Sequence, residues 1–153
     1  MRLRLIWTGK TRDARLRELQ LDYEKRLSHF ARCEIVEIRE SASAGITAGI
    51  DRDSKSISDR LSNGSVTVLL DPEGSSWSSP ELAAQIQRWE NQGTKEVAFI
   101  VGGPYGVSPE LTARVQQRWS LTRLTLTHEM VRVVLLEQLY RAYTIIHGLP
   151  YQK

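Results

Sequence analysis

The chain is poor in the residues that build disulfide, zinc and membrane-spanning proteins. Cys33 is the single cysteine among 153 residues, so no internal disulfide can form and a reducing compartment suits it. Three dispersed histidines supply no ligand set for structural zinc, and no metal is expected. No stretch approaches the roughly 18 apolar residues of a membrane helix. The opening Met1-Arg2-Leu3-Arg4-Leu5-Ile6-Trp7 places charges inside its apolar segment, unlike a signal-peptide core. A cytoplasmic protein that does not engage a membrane is therefore expected. Several glycine and catalytic motifs are missing too: there is no phosphate-gripping P-loop, no G-x-G-x-x-G, no G-x-S-x-G elbow, no H-E-x-x-H and no C-x-x-C.

What is present is ordinary for a globular chain, with 41% hydrophobic and 25% charged residues. The length suits one domain spanning 1–153 that buries roughly 70% of its unfolded surface. Net charge is +3 but unevenly spread. Residues 1–40 hold ten Lys/Arg against seven Asp/Glu, residues 41–110 five against nine, and residues 111–153 six against two. Basic ends suit a polyanion such as RNA, although arginines that merely solvate helix faces account for the same counts.

The pattern predicts alternating strands and helices. Arg2 to Thr8 alternates as a half-exposed strand, and Thr11 to Phe30 repeats apolar residues at helical spacing. Cys33 to Ile38 reads as a strand, Ser41 to Gly49 as a mobile loop, and Asp51 to Leu61 as a modest helix. Ser65 to Leu70 is a buried strand ended by a turn at Asp71-Pro72-Glu73-Gly74, and Ser79-Pro80 opens a helix to Asn91. Glu96 to Val101 is the next strand. Pro109 to Arg118 follows as a helix, Trp119 to Thr127 as a short strand, and Glu129 to His147 as a long helix apolar nearly all round. A second subunit is one source of cover for that helix. The class is α/β with a mostly parallel sheet flanked by helices.

One junction stands out. The strand ending at Val101 runs into Gly102-Gly103-Pro104-Tyr105-Gly106, then Ser108 as N-cap and Pro109 at the first helical position. Glycines there permit positive φ and close approach of a ligand to bare backbone, and ligands favour the carboxyl ends of parallel strands. A tight structural turn explains the same residues. His128 begins the last helix, where it either caps or holds a neutral imidazole for catalysis. Arg132, Glu137 and Arg141 are charges within that apolar helix: Arg132 is free to meet a phosphate or carboxylate, and Glu137 with Arg141 forms an i,i+4 pair.

Taken together, several segments resemble the RlmH (YbeA) family of SPOUT-class methyltransferases over essentially the whole chain. They are the glycine turn, Trp119 to His128, Val131-Arg132-Val133 and Glu137-Gln138-Leu139-Tyr140-Arg141-Ala142, supported by Leu70-Asp71-Pro72-Glu73-Gly74 and Pro150-Tyr151. The resemblance implies S-adenosyl-L-methionine as methyl donor and N3 of a pseudouridine in 23S rRNA as acceptor, on the assembled ribosome. It also implies a homodimer whose C-terminal chain threads a trefoil knot. By position it assigns cofactor contacts to Leu70, Gly102, Gly103, Leu121, Thr122, Arg123, Leu124, Thr125 and Leu126. It assigns catalysis and RNA contact to Arg132, His128 and Tyr151, lining the RNA-facing side across the dimer interface, with Arg132 stabilising charge on the uracil ring and His128 a candidate for the proton. Two departures stand against the pattern: Gln152 follows Pro150-Tyr151 where the family has histidine, and Tyr105 stands where some relatives have Glu. The altered tail keeps a second reading open, a ribosome- or RNA-binding protein of this fold without activity.

Overall fold

Five segments rich in Val, Ile and Leu pair, all in parallel, to form one sheet. They are β1 (Arg2–Thr8), β2 (Arg32–Ile38), β3 (Val66–Ser76), β4 (Glu96–Val101) and β5 (Gln117–Ser120), in the order β2-β1-β4-β3-β5. The structure is a computed structural model and describes residues 1–41 and 45–151. Helices α1 (Ala14–Leu27), α2 (Ile46–Ser58), α3 (Ser79–Asn91) and α4 (Pro109–Arg114) join the strands, and α5 (His128–Ile146) follows the last. Among the described residues no helix is long and apolar enough to cross a membrane.

A parallel sheet covered on both faces needs strands that are apolar throughout. β4 meets this: all six of its positions are buried. On one face Leu3, Leu5, Trp7 and Phe99 meet Leu27 of α1, Ile86 of α3 and Leu135 of α5. On the other, Ile6, Ala98 and Ile100 meet Ile57 of α2 and Leu111 of α4. α5 lies against both α1 and α3, which cover part of its apolar surface, while Met130 stays 37% exposed and Val131, Val134 and Tyr140 half-buried. Caps fix the helix starts. Asp13 accepts from Arg15 and Leu16, Ser78 and Glu81 form a reciprocal capping box, Ser108 accepts from Leu111, and Thr127 accepts from Met130.

Four expectations change. β1 is an interior strand rather than a half-exposed one, because its arginines sit at one end, where Arg2 and Arg4 pair with Glu34 and with the buried Glu96. β3 does not stop at Leu70 but runs to Ser76, with a register shift against β5 between Leu70 and Ser75. Gly74 makes this possible: a Cβ there would lie 2.5 Å from the Arg118 carbonyl carbon. α4 ends at Arg114, and β5 takes up Gln117 and Arg118 but stops at Ser120, so the three threonines after it lie in an irregular loop. α2 starts at Ile46, within the stretch read as a loop, while residues 42–44 of that stretch lie outside the described residues.

Candidate functional site

Parallel pairing brings the carboxyl ends of β3, β4 and β5 to one edge of the sheet, where they surround a cleft of about 280 Å³. Three segments distant in sequence wall it: Leu70 to Pro72, Val101 to Pro104 with Gly106, and Trp119 to Leu126 without Arg123. His128 and Val131 of α5 close the remaining side. The cleft is close to the ~300 Å³ lower end of small-molecule sites and shares their character, mostly apolar with a few polar groups. Of the residues picked from sequence, Leu70, Gly102, Gly103, Leu121, Thr122, Leu124, Thr125, Leu126 and His128 converge here. Arg123 is exposed and does not line it, and Arg132 and Tyr151 lie elsewhere. Asp71, Pro72, Trp119 and Val131 line it too; they lie within the segments that carry the resemblance, but no site role was assigned to them.

The glycine turn is tighter than open backbone for a ligand would require. The Gly106 N–H donates to the Gly103 carbonyl at 3.0 Å, and Gly106 alone in this turn has positive φ, 81°. A Cβ on Gly102 would press on Val107 Cγ1 at 3.1 Å and on the Gly106 carbonyl carbon at 3.2 Å. On Gly103 it would rest 3.4 Å from Thr8 Oγ1. The glycines therefore serve the turn first, and the turn shapes the cleft wall. Opposite it, the loop of residues 121–126 is held by side chains: Ser120 Oγ donates to the Thr122 carbonyl, and the Leu124 N–H donates to Thr122 Oγ1, both at 3.0 Å. Among the described residues, backbone groups of 121–126 enter no backbone–backbone hydrogen bond. Apart from the Thr122 carbonyl and the Leu124 amide, backbone groups of this loop beside an apolar cleft suit a ligand with both a flat apolar part and polar ends.

Two titratable groups border the cleft. Burial pulls the His128 imidazole below its ordinary value and nearby Arg132 pulls it further, with Glu129 and Glu40 opposing, so it is neutral at neutral pH. Burial raises Asp71, but the Arg118 guanidinium, donating from Nε at 2.8 Å, and the Glu73 amide outweigh it and hold the carboxyl below the usual range. Arg118 also reaches Glu73 at 3.4 Å. Asp71 and Glu73, which from sequence read as a plain turn, thus anchor the extension of β3 to β5.

Arg132 is fully buried and turned away from the cleft. Its Nη2 donates to the Thr8 carbonyl at 2.7 Å, and its Nη1 donates to Thr11 Oγ1 at 3.0 Å and to the Gly9 carbonyl at 3.3 Å. The guanidinium also lies 5.1 Å from the Trp7 ring centre. Thr11 passes the contact on, donating to Gln20 Oε1 at 2.6 Å. One residue from His128, the Glu129 carboxylate accepts from the amides of Arg12 and Asp13 at 2.8 and 3.1 Å. The first turn of α5 is thereby clasped to the loop between β1 and α1. Tyr151 packs far from this end: its ring meets Tyr140 edge-on at 4.8 Å, its hydroxyl donates to Glu137 at 3.1 Å, and Arg141 covers it at 4.8 Å. Glu137 lies about 13 Å along α5 from His128 at 1.5 Å per residue. Gln152 lies outside the described residues.

A family model described as "Predicted SPOUT methyltransferase" matches residues 1–152. The chain belongs to the SPOUT methyltransferases. Relatives carry the name "Ribosomal RNA large subunit methyltransferase H". Those of Geobacter sp. strain M21 and of Gloeobacter violaceus are each 41% identical over 151 residues, covering 99% of this chain and 98% of theirs. That of Desulfotalea psychrophila is 37% identical over the full length of both chains. A solved structure described as a probable methylase family protein from Haemophilus influenzae Rd KW20 superposes with a TM-score of 0.51 at 11% identity, covering 99% of this chain and 70% of that one. It supports the SPOUT methyltransferase fold alone.

Proposed function

We propose that this SPOUT methyltransferase transfers the methyl group of S-adenosyl-L-methionine to N3 of a pseudouridine in 23S rRNA of the assembled ribosome, acting as a homodimer. One observation carries the reading: three segments far apart in sequence, around Leu70, Gly102 and Leu121–Leu126, wall a single apolar cleft at the carboxyl edge of the sheet. The names of the relatives point to large-subunit rRNA as the acceptor class. The homodimer and the trefoil knot rest on the family resemblance.

The residues fit the cofactor. Leu70, Val101, Leu121 and Leu126 offer apolar walls, and backbone groups of residues 121–126 other than the Thr122 carbonyl and the Leu124 amide offer partners for its polar ends. When bound, the sulfonium supplies an electrophilic methyl group. Around it the protein must exclude water, align N3 and accept the N3 proton. Neutral His128 is the cleft's candidate acceptor for that proton. Arg132 is a positioning residue here: its guanidinium is committed to Thr8, Gly9 and Thr11, and its buried charge disfavours a proton on His128.

Calorimetry with S-adenosyl-L-methionine, followed by single-turnover methyl transfer to ribosomes lacking the modification, tests the reading. Binding and transfer are both expected. Binding without transfer would favour a ribosome-binding protein of this fold, and absence of binding would end the methyltransferase reading. The transfer rate should fall at acid pH with a midpoint below the 6.5 of an ordinary imidazole, because protonation removes the acceptor. His128→Gln should lower the rate and erase that acid limb; an unchanged limb would remove His128 from proton transfer.

A further inference from the structure

The carboxyl edge of the sheet continues beyond the cleft. Gly103, Pro104 and Gly106 form its far wall and also border a second cavity, of about 460 Å³, at the ends of β1 and β4. Thr8, Glu40, Ile46, Ile50, Asp53 and Tyr105 line that cavity. Glu40 in turn borders a third space beside Lys10, Arg12 and Arg39, at the ends of β1 and β2. Glu37 also lines that third space, so the edge runs from an apolar cleft through a cavity with two carboxylates to a mixed-charge space where Lys10, Arg12 and Arg39 outnumber Glu37 and Glu40.

Tyr105 stands at the tip of the glycine turn, on the boundary between the first two. Its ring is 67% exposed, and among the described residues its side chain has no hydrogen bond or ring contact. Exposed aromatic faces of this kind are the platforms on which unpaired bases stack. The charges of the second cavity select against phosphate. Asp53 accepts the Ser41 amide at 3.1 Å and Glu40 pairs with Arg12 at 3.2 Å, and both carboxylates keep further acceptor capacity. Such acceptors match ring N–H and amino groups on a base edge. Lys10 and Arg39, which form no ion pair among the described residues, suit the phosphates instead.

We propose that the second cavity receives an unpaired base of the RNA substrate, a neighbour of the methylated nucleotide, stacked on Tyr105 with its backbone led out past Lys10, Arg12 and Arg39. The base is a neighbour and not the acceptor, because Gly103 and Pro104 stand between it and the cleft. This inference rests on the rRNA-methyltransferase reading above.

Three proteins separate the two: wild type, Tyr105→Ala and Tyr105→Phe, each measured for binding to ribosomes lacking the modification and, by calorimetry, for S-adenosyl-L-methionine. Tyr105→Ala should bind ribosomes roughly 5- to 150-fold more weakly, the range seen for loss of one base–aromatic stack. Its cofactor affinity should stay at the wild-type value. Tyr105→Phe should match wild type in both, since the ring is kept. Ribosome affinity unchanged in Tyr105→Ala, while wild type methylates the ribosome, would overturn the stacking site and leave the proposed function standing. So would a loss in Tyr105→Phe equal to that in Tyr105→Ala, or a parallel loss of cofactor affinity, which would mark a distorted turn. A wild-type protein that binds cofactor but neither binds nor methylates ribosomes would overturn both.

Discussion

Arg132 and Arg141 belong to the same helix and are held in opposite ways. Near the amino end of α5, Arg132 has no solvent exposure and, among the described residues, no carboxylate in ion-pair contact; two carbonyls and a hydroxyl accept its protons. Burial accordingly pulls its pKa down. Near the carboxyl end, Arg141 stays partly exposed, donates to Glu137 through Nε at 2.9 Å, and covers the Tyr151 ring. Its bond to Glu137 holds its pKa up. A buried cation held by two carbonyls and a hydroxyl, with its Nε left without a partner among the described residues, constrains the path of the chain that supplies them, here the loop from Thr8 to Thr11. A half-exposed i,i+4 pair dictates little beyond its own helix turn. The amino end of α5 is therefore a fixed wall of the candidate site. The carboxyl end, where Tyr151 packs, is an aromatic surface remote from the cleft.

The contrast predicts a graded set of losses. Arg132→Ala removes three hydrogen bonds and takes the donor from the buried Thr8 carbonyl and the half-buried Gly9 carbonyl, which should cost about 3 kcal/mol in urea unfolding. Arg132→Lys should recover only part of this, because an ammonium cannot span the same acceptors. A loss below about 1 kcal/mol would break the comparison and return Arg132 to a direct role at the substrate. Glu129→Gln tests the other half of the clasp and should cost about 1 kcal/mol at neutral pH. Hydrogen bonds from the Arg12 and Asp13 amides hold the Glu129 carboxyl below its ordinary 4.5 in the folded protein. A depressed folded pKa means that the carboxylate's contribution is present above 4.5 and lost as pH falls through the folded value. Unfolding curves of wild type and Glu129→Gln should therefore converge below pH 4.5 and separate above it. Arg141→Met should have the smallest effect, under about 0.5 kcal/mol after solvent screening, and should leave cofactor affinity unchanged. A larger loss of methyl transfer than of stability in Arg141→Met would bring the carboxyl end of α5 into the site.

Much of the scaffold was legible because it depends on local chemistry. The run Val97 to Val101 read as a buried strand, and Ser79 with Pro80 and Ser108 with Pro109 announced helix starts, although the structure gives the first cap to Ser78. The spacing of Glu137 and Arg141 predicted their pair, and the structure has it. The cleft itself came from resemblance: Leu70, Gly102 and Leu121–Leu126 carry no common pattern, and only the parallel pairing of β3 with β4 and β5 brings them together. The role of Gly74 was hidden for the same reason. Its necessity comes from the Arg118 backbone, which is distant in sequence and near in space.

The amino-acid order by itself determined which segments are strands and helices, several of their caps and that a glycine turn follows β4, since periodicity, caps and φ preferences act over a few residues. Tertiary structure alone decided what Arg132 is for. A charge in an apolar helix must find partners, but the helix does not say whether they come from a ligand or from the protein. Here the turn after β1, with Gly9 at φ 74°, presents the Thr8 and Gly9 carbonyls to Arg132, so its guanidinium meets groups of the protein's own backbone one turn along α5 from His128.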